Sequence, residues 1–315
     1  MQREDFIFNT EVYQYIDLEN KEGENILEES TDIMRELEEK LSFYKDGSEV
    51  SLINKNAGIR FVSVSEETFE IVERAKYYSK ITGGAFDITI APLVETWKIN
   101  SKNPRIPSKD EIGSSLELIN YEDIILNYEE KSIMLSKEGQ KIDLGGIAKG
   151  YIADIIIEFY KNNNVESAFI NIGGNVKTLG KKDLEISWKV GILEPIKHSK
   201  ESVCAIKSFN ESIVTSGECE RGFYYNDEYY HHILNPRTGM PAKSDLKSIT
   251  LICDDSIEAD ALATPLFIMG KDNASNFMIA NRINGIMITN DNKIIVTKNV
   301  LKDFILIKDY EVLTF

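Results

Sequence analysis

The chain is predicted to fold as one α+β domain spanning residues 1–315, a mixed β-sheet with packed helices. Two observations carry this. Segments with an apolar stripe at helical spacing alternate irregularly with short β-branched runs bounded by Gly, Asn and Pro. The 315 residues are 42% hydrophobic and 28% charged, an ordinary balance for a globular chain long enough to bury a large core. No internal repeat or low-complexity tract interrupts the pattern.

Taken in order, Glu24 to Leu41 reads as an amphipathic helix, with Ile26, Ser30, Ile33, Leu37 and Leu41 on one stripe and acids on the other face. Ser65 is placed to cap a second helix running to about Lys80, with Phe69, Val72 and Ala75 inward; Thr82-Gly83-Gly84 ends it, because glycine accepts positive φ. A Pro-containing surface loop, Asn100 to Pro107, follows. Ile142-Asp143-Leu144 reads as a strand end, and Gly145-Gly146 then turns the chain into a helix carrying Ile147, Ile152, Ile155, Ile156 and Phe159. Ala168 to Asn175 is a second strand-to-glycine unit. Further strands are expected at Trp188 to Ile192, Ser212 to Thr215, Ile249 to Cys253, Ile286 to Thr289, Ile294 to Thr297 and Phe304 to Ile307, with a helix from Ser256 to about Gly270.

The charge balance excludes some partners. Fifty-two acids against 36 bases give a net charge of −16. Such a surface repels nucleic acid and anionic lipid, and a polyphosphate ligand would need a metal, a helix N-terminus, Lys or Arg to bind it locally. Cys204, Cys219 and Cys253 are odd in number and widely spaced, which argues against a disulfide framework or zinc site. The first residues have no signal-peptide core, and no run approaches the roughly 18 apolar residues of a membrane span. As written, the expectation is a cytoplasmic protein; an exported, membrane-anchored lipoprotein trimmed of its leader would read the same.

Several segments carry chemistry. Asp260 and Thr264 are four apart, so they share a helix face and offer hard oxygens suited to Mg²⁺. Pro265 removes the helical bond to the Ala261 carbonyl and is expected to kink the helix and push Thr264 from helical geometry; simple bending around the core is the alternative. Asp143 to Gly150 resembles a phosphate-binding strand-turn-helix, although it matches neither the dinucleotide fingerprint nor the P-loop, and a tight connection is the alternative. Gly173-Gly174 reads more simply as a tight turn. His232 precedes Asn235-Pro236-Arg237-Thr238-Gly239, a turn that would hold it on a loop as a candidate general base; in an extended segment its neighbour His231 points the other way. Gly83-Gly84-Ala85-Phe86-Asp87-Ile88-Thr89 sets an aromatic and an acid after two glycines, either as a helix stop with a core Phe or as a surface for a flat ligand. Tyr44 is a further ring able to stack. Together these point to an enzyme acting on a phosphate ester or anhydride.

The set of runs resembles the FAD:protein FMN transferases, the ApbE-type family. The matching runs are Ser48 to Asn54, Gly83 to Thr89, Asp143 to Gly150, Asn171 to Asn175, Ser216 to Arg221, the His232 loop, and Ala259 to Thr264, in family order and over most of the chain. Departures are Phe8-Asn9-Thr10 for the family's Met-Gly-Thr, Cys219 for a Tyr, Asn235 for an Asp and Pro265 for an Ala. The resemblance implies a single-domain α+β flavin transferase fold that binds FAD as substrate and Mg²⁺. It implies transfer of FMN to a Thr or Ser hydroxyl of an acceptor flavoprotein with release of AMP. Asp260, Thr264 and the backbone oxygens of Gly146 and Ala263 would hold Mg²⁺. Phe8, Tyr44, Ala85, Phe86, Asp87, Asp143, Lys149 and Ile233 would contact FAD, and His232 would take the proton of the attacking hydroxyl. FAD hydrolysis to FMN and AMP, or FAD binding without catalysis, are the competing readings.

Overall fold

A computed structural model describes residues 1–99, 101–183 and 186–315. Asn100, the first residue of the expected Pro-containing loop, lies outside the described residues. Among the described residues are seven α-helices: α1 Lys21–Leu41, α2 Glu49–Lys55, α3 Glu66–Ile81, α4 Ala91–Trp97, α5 Lys109–Leu116, α6 Ala148–Asn162 and α7 Ser256–Asn281. The chain divides into two compact units, one of 1–38, 148–217 and 244–315, the other of 39–147 and 218–243.

The first unit is built on a nine-stranded sheet. In spatial order its strands are Gln2–Ile7, Thr10–Ile16, Ala168–Ile172, Asn175–Leu179, Ser212–Gly217, Leu246–Cys253, Asn284–Thr289, Lys293–Val296 and Glu311–Thr314. Every pair is antiparallel except the last, which is parallel and makes the sheet mixed. A three-stranded sheet of Trp188–Leu193, Ser202–Ser208 and Phe304–Leu306 contributes to a core with Ile213, Ile252, Ile286 and Ile294.

Helices α6 and α7 pack on each other and on the nine-stranded sheet. Ala259, Ala261, Leu262, Ala263, Leu266 and Phe267 are all fully buried, so the first half of α7 is covered nearly all round, while exposed residues such as Asp272 and Asn273 lie in its second half. The expected distortion at Thr264 is not found. The non-helical residue inside α7 is Gly270, at φ 76°. There the Asp245 carboxylate accepts the Lys271 N–H at 2.8 Å and the Ser244 hydroxyl donates to the Phe267 carbonyl at 2.7 Å. Backbone groups released by the break thus gain partners, and glycine bears the positive φ without steric cost.

The second unit contains α2 to α5, a three-stranded sheet of Val62–Ser63, Ile124–Asn127 and Ser132–Leu135, and a hairpin of Gly222–Tyr225 and Glu228–His231. Its apolar centre includes Leu93, Trp97, Ile112 and Leu234. Helix α3 begins at the Ser65 cap and ends at Thr82, with Gly83 and Gly84 at positive φ, as the sequence predicts. Ile142-Asp143-Leu144 is not a strand end. Instead the Asn54 side-chain amide donates to the Ile142 carbonyl and accepts its N–H, at 3.0 and 2.7 Å. A side chain on α2 takes the place of a neighbouring strand, a pairing of distant residues that local pattern does not reveal.

Candidate functional site

In the first unit, the Gly145-Gly146 turn has already passed and α6 begins at Ala148. Its first turn meets α7. The Gly150 N–H donates to Asp260 Oδ2 at 2.9 Å, and Lys149 Nζ lies 3.4 Å from Asp260 Oδ1. Gly150 is required for this approach, because a Cβ there would stand 2.7 Å from Asp260 Cβ. Asp260 is only 5% exposed. One helical turn on, Thr264 Oγ1 lies 3.1 Å from Ser216 Oγ. Ala263, between them in sequence, is fully buried.

The Asp260 carboxylate and the Thr264 and Ser216 hydroxyls are hard oxygen donors, the kind that Mg²⁺ takes. Mg²⁺ commonly keeps several waters and takes one or two carboxylates plus substrate phosphates, whereas Zn²⁺ draws on Cys and His, and Ca²⁺ on more oxygens. Phe8 also belongs to this unit. It stands at φ 57° beside Asn9 at φ 56°, the pair that turns the first two strands into a hairpin, and its N–H donates to Glu38 Oε1 at 2.7 Å.

In the second unit, two neighbouring histidines have opposite fates. His231 is 4% exposed. Its Nε2 donates to the Ala242 carbonyl at 2.8 Å, and its Nδ1 accepts the Ile233 N–H at 3.2 Å. That arrangement uses both nitrogens of a neutral ring. Burial pushes its pKa below the usual imidazole value, partly offset by the Ala242 bond. His232 lies just past the strand. Its Nδ1 is 3.2 Å from the Arg221 carbonyl, which also accepts the His232 backbone N–H at 3.0 Å. A carbonyl only accepts, so Nδ1 carries a proton and, in the neutral ring, Nε2 carries the lone pair. The Glu220 carboxylate is 3.8 Å from Nε2. Downstream, the Asn235 carbonyl accepts from Thr238 and Gly239 N–H, the turn that the Asn-Pro-Arg-Thr-Gly run predicts.

The remaining candidates of this unit sort by what their polar groups already do. Tyr44 is 65% exposed, edge-on to Phe43, and presents a ring for stacking. Ala85 and Phe86 are buried, and the Phe86 ring lies 3.4 Å from where a Cβ on Gly146 would stand. The Asp87 carboxylate is buried and accepts from the Thr89 N–H, the Thr89 hydroxyl and the Tyr121 N–H, at 2.8, 2.6 and 2.9 Å. Burial raises its pKa, against the pull of those bonds. Its carboxylate therefore ties the Gly83–Thr89 loop to the Tyr121 segment. Asp143 Oδ1 accepts the Gly145 N–H at 2.9 Å, closing the glycine turn. The Ile233 N–H and C=O are both bonded, to His231 and Ala242, and its side chain is buried.

Sequence reasoning gave no individual role to Arg221, Ser216, Asn54 or Gly150, although each falls within a run that carries the resemblance. Their contributions are a backbone carbonyl, a hydroxyl contact, an amide bridge and a missing side chain. A motif marks such positions without stating what they bond.

The model of the ApbE family matches residues 7–287. A FAD:protein FMN transferase of Klebsiella pneumoniae is 35% identical over 240 residues, covering 76% of this chain and 74% of that protein. One of Treponema pallidum is 31% identical over 259 residues, covering 78% and 72%. The crystal structure of the ApbE protein from Thermotoga maritima superposes with a TM-score of 0.86 at 32% identity, covering 95% of this chain and 97% of that one.

Proposed function

Because this chain belongs to the ApbE family, we propose that it is a transferase moving the FMN part of FAD onto a Thr or Ser hydroxyl of an acceptor flavoprotein, with release of AMP. The flavin-transferase class is supported by the relatives at 31–35% identity. The observation that carries the chemistry is the Asp260 carboxylate, oriented by the Gly150 amide with the Lys149 ammonium 3.4 Å away. A carboxylate beside a lysine offers one partner to a hard cation and one to a phosphate, in a protein whose net charge is −16.

In this reading Asp260, Thr264 and the backbone oxygen of Ala263 hold Mg²⁺, with Gly146 adding its carbonyl. When bound, Mg²⁺ neutralises pyrophosphate charge and stabilises the leaving phosphate. Lys149 shares the work on the phosphate. His232 Nε2 takes the proton of the attacking hydroxyl, whose oxygen bonds the FMN phosphorus as the bond from that phosphorus to the bridging oxygen breaks. AMP leaves with the bridging oxygen. Glu220 steadies the imidazolium. Tyr44 and Phe8 give the flavin or adenine apolar contact, and Ala85, Phe86, Asp87 and Asp143 shape the loops against FAD.

The test incubates this protein with FAD, Mg²⁺ and a Thr-bearing acceptor domain, with and without EDTA, and reads the acceptor by mass spectrometry. The expected result is a gain of one FMN minus water, abolished by EDTA. Free FMN and AMP with unmodified acceptor would make the protein a hydrolase. Bound, intact FAD would leave only binding.

A further inference from the structure

The proposed chemistry leaves unused a half-buried carboxylate of the first unit, Asp154, that accepts three hydrogen bonds. Asp154 follows Gly150 by four residues, so the two share a face of α6. Its Oδ1 accepts the Ser256 N–H at 2.9 Å and a bond from Lys177 Nζ; its Oδ2 accepts the Ile257 N–H at 2.9 Å. These are two of the amides that begin α7, which have no helical partner of their own. Asp255, the residue that should cap α7, makes no side-chain capping bond. The cap comes instead from the neighbouring helix. Lys177 is 7% exposed and also donates to the Asp254 carbonyl at 2.9 Å, fixing the residue that leads into the cap.

Asp260 lies one turn beyond Ser256, and there the same bond runs in the opposite sense. A carboxylate on α7 accepts the amide of Gly150 on α6. Two successive turns of each helix are therefore latched by carboxylate-to-amide bonds in reciprocal directions. Bonds of this kind are charge-assisted and short, so they fix register more strictly than apolar packing. A slip or rotation of α7 that redirected the Asp260 carboxylate would break the Asp154 bonds at the same time.

We infer that Asp154, supported by Lys177, is a positioning residue for the cation site at Asp260, setting the register of α7 against α6. The inference rests on the reading that Asp260 holds the cation. Partners that bond a metal ligand directly commonly change affinity or activity by about 10- to 100-fold when removed; Asp154 acts one step further out, through the α7 backbone, so its effect is expected at the lower end of that range.

The experiment titrates Mn²⁺, as a paramagnetic probe for Mg²⁺, into the full chain holding FAD. Bound ion is read from loss of the free-ion EPR signal, and the Mg²⁺ dependence of turnover is measured in parallel. Asp154→Asn is expected to raise the Mn²⁺ Kd and the KM for Mg²⁺ by about 10-fold, while kcat at saturating Mg²⁺ stays within about threefold. Lys177→Met, the second variant should Asp154→Asn not fold, is expected to shift both constants in the same direction by less. An unchanged Kd in folded Asp154→Asn, or in Lys177→Met where that is the folded variant, with only a lower Tm, would overturn the positioning role. Asp260→Ala separates the two failures. If it abolishes Mn²⁺ binding while the positioning variants bind normally, only the positioning inference falls. If it binds Mn²⁺ like the wild type, the reading of Asp260 itself falls, and the inference with it.

Discussion

The Nδ1–H of His232 donates to the carbonyl oxygen of Arg221, 3.2 Å away. This bond decides the tautomer, and so which nitrogen can take a proton. His232→Gln removes the base but keeps a polar side chain. Transfer to the acceptor should slow by about 10²- to 10⁴-fold, the usual share of general-base catalysis. FAD affinity, measured by fluorescence titration, should hold. A variant with undiminished kcat would remove His232 from the mechanism.

His231 makes a separate prediction about pH. Its pKa in the folded protein lies below the ordinary imidazole value of 6.5, chiefly because it is buried. A base with a depressed folded pKa contributes stability that is present above its unfolded pKa and lost as pH falls through the folded one. Melting of the wild type should therefore lose this contribution below about pH 6.5. His231→Phe, which has nothing to protonate, should lack that part of the slope at some cost in stability at neutral pH. Parallel acid slopes in the two proteins would contradict the assignment.

Asp87 accepts three hydrogen bonds on a buried carboxylate. In Asp87→Asn an amide group must face either Thr89 or the Tyr121 N–H, setting donor against donor. The expected destabilisation at neutral pH is about 1–3 kcal/mol, the cost of an unsatisfied buried group. Denaturant unfolding would read it. A change below a few tenths would mean that the loop repacks freely.

Phe8 holds a positive φ that a bulky residue adopts only at a steric cost. Phe8→Gly should relieve that strain, so the direct backbone effect is to raise stability. If the ring serves FAD, the same substitution weakens FAD binding. Opposite movements of Tm and FAD affinity are the expected signature, measured by thermal melting and fluorescence titration. Unchanged affinity would leave Phe8 a turn residue only.

The sequence by itself determined the fold class, the family and most of the longer elements. Those are properties of local pattern: the capped α3, the β-branched strands near Ile249 and Ile286, and the glycine-containing runs in family order. Ile142–Leu144 and Thr264 show where pattern stopped. The first gains its partner from Asn54, 88 residues away, and the second stays helical although Pro265 follows it, the non-helical residue of α7 being Gly270. The sequence set His231 and His232 on opposite sides, but only the tertiary structure showed that His231 is the buried one, bonded to the Ala242 carbonyl, while the Arg221 carbonyl holds His232. Only it revealed that Gly150 lets α6 reach Asp260 and that Asp154 caps a helix not its own. Each of these depends on which distant backbone groups are brought within about 3 Å, the range of a hydrogen bond.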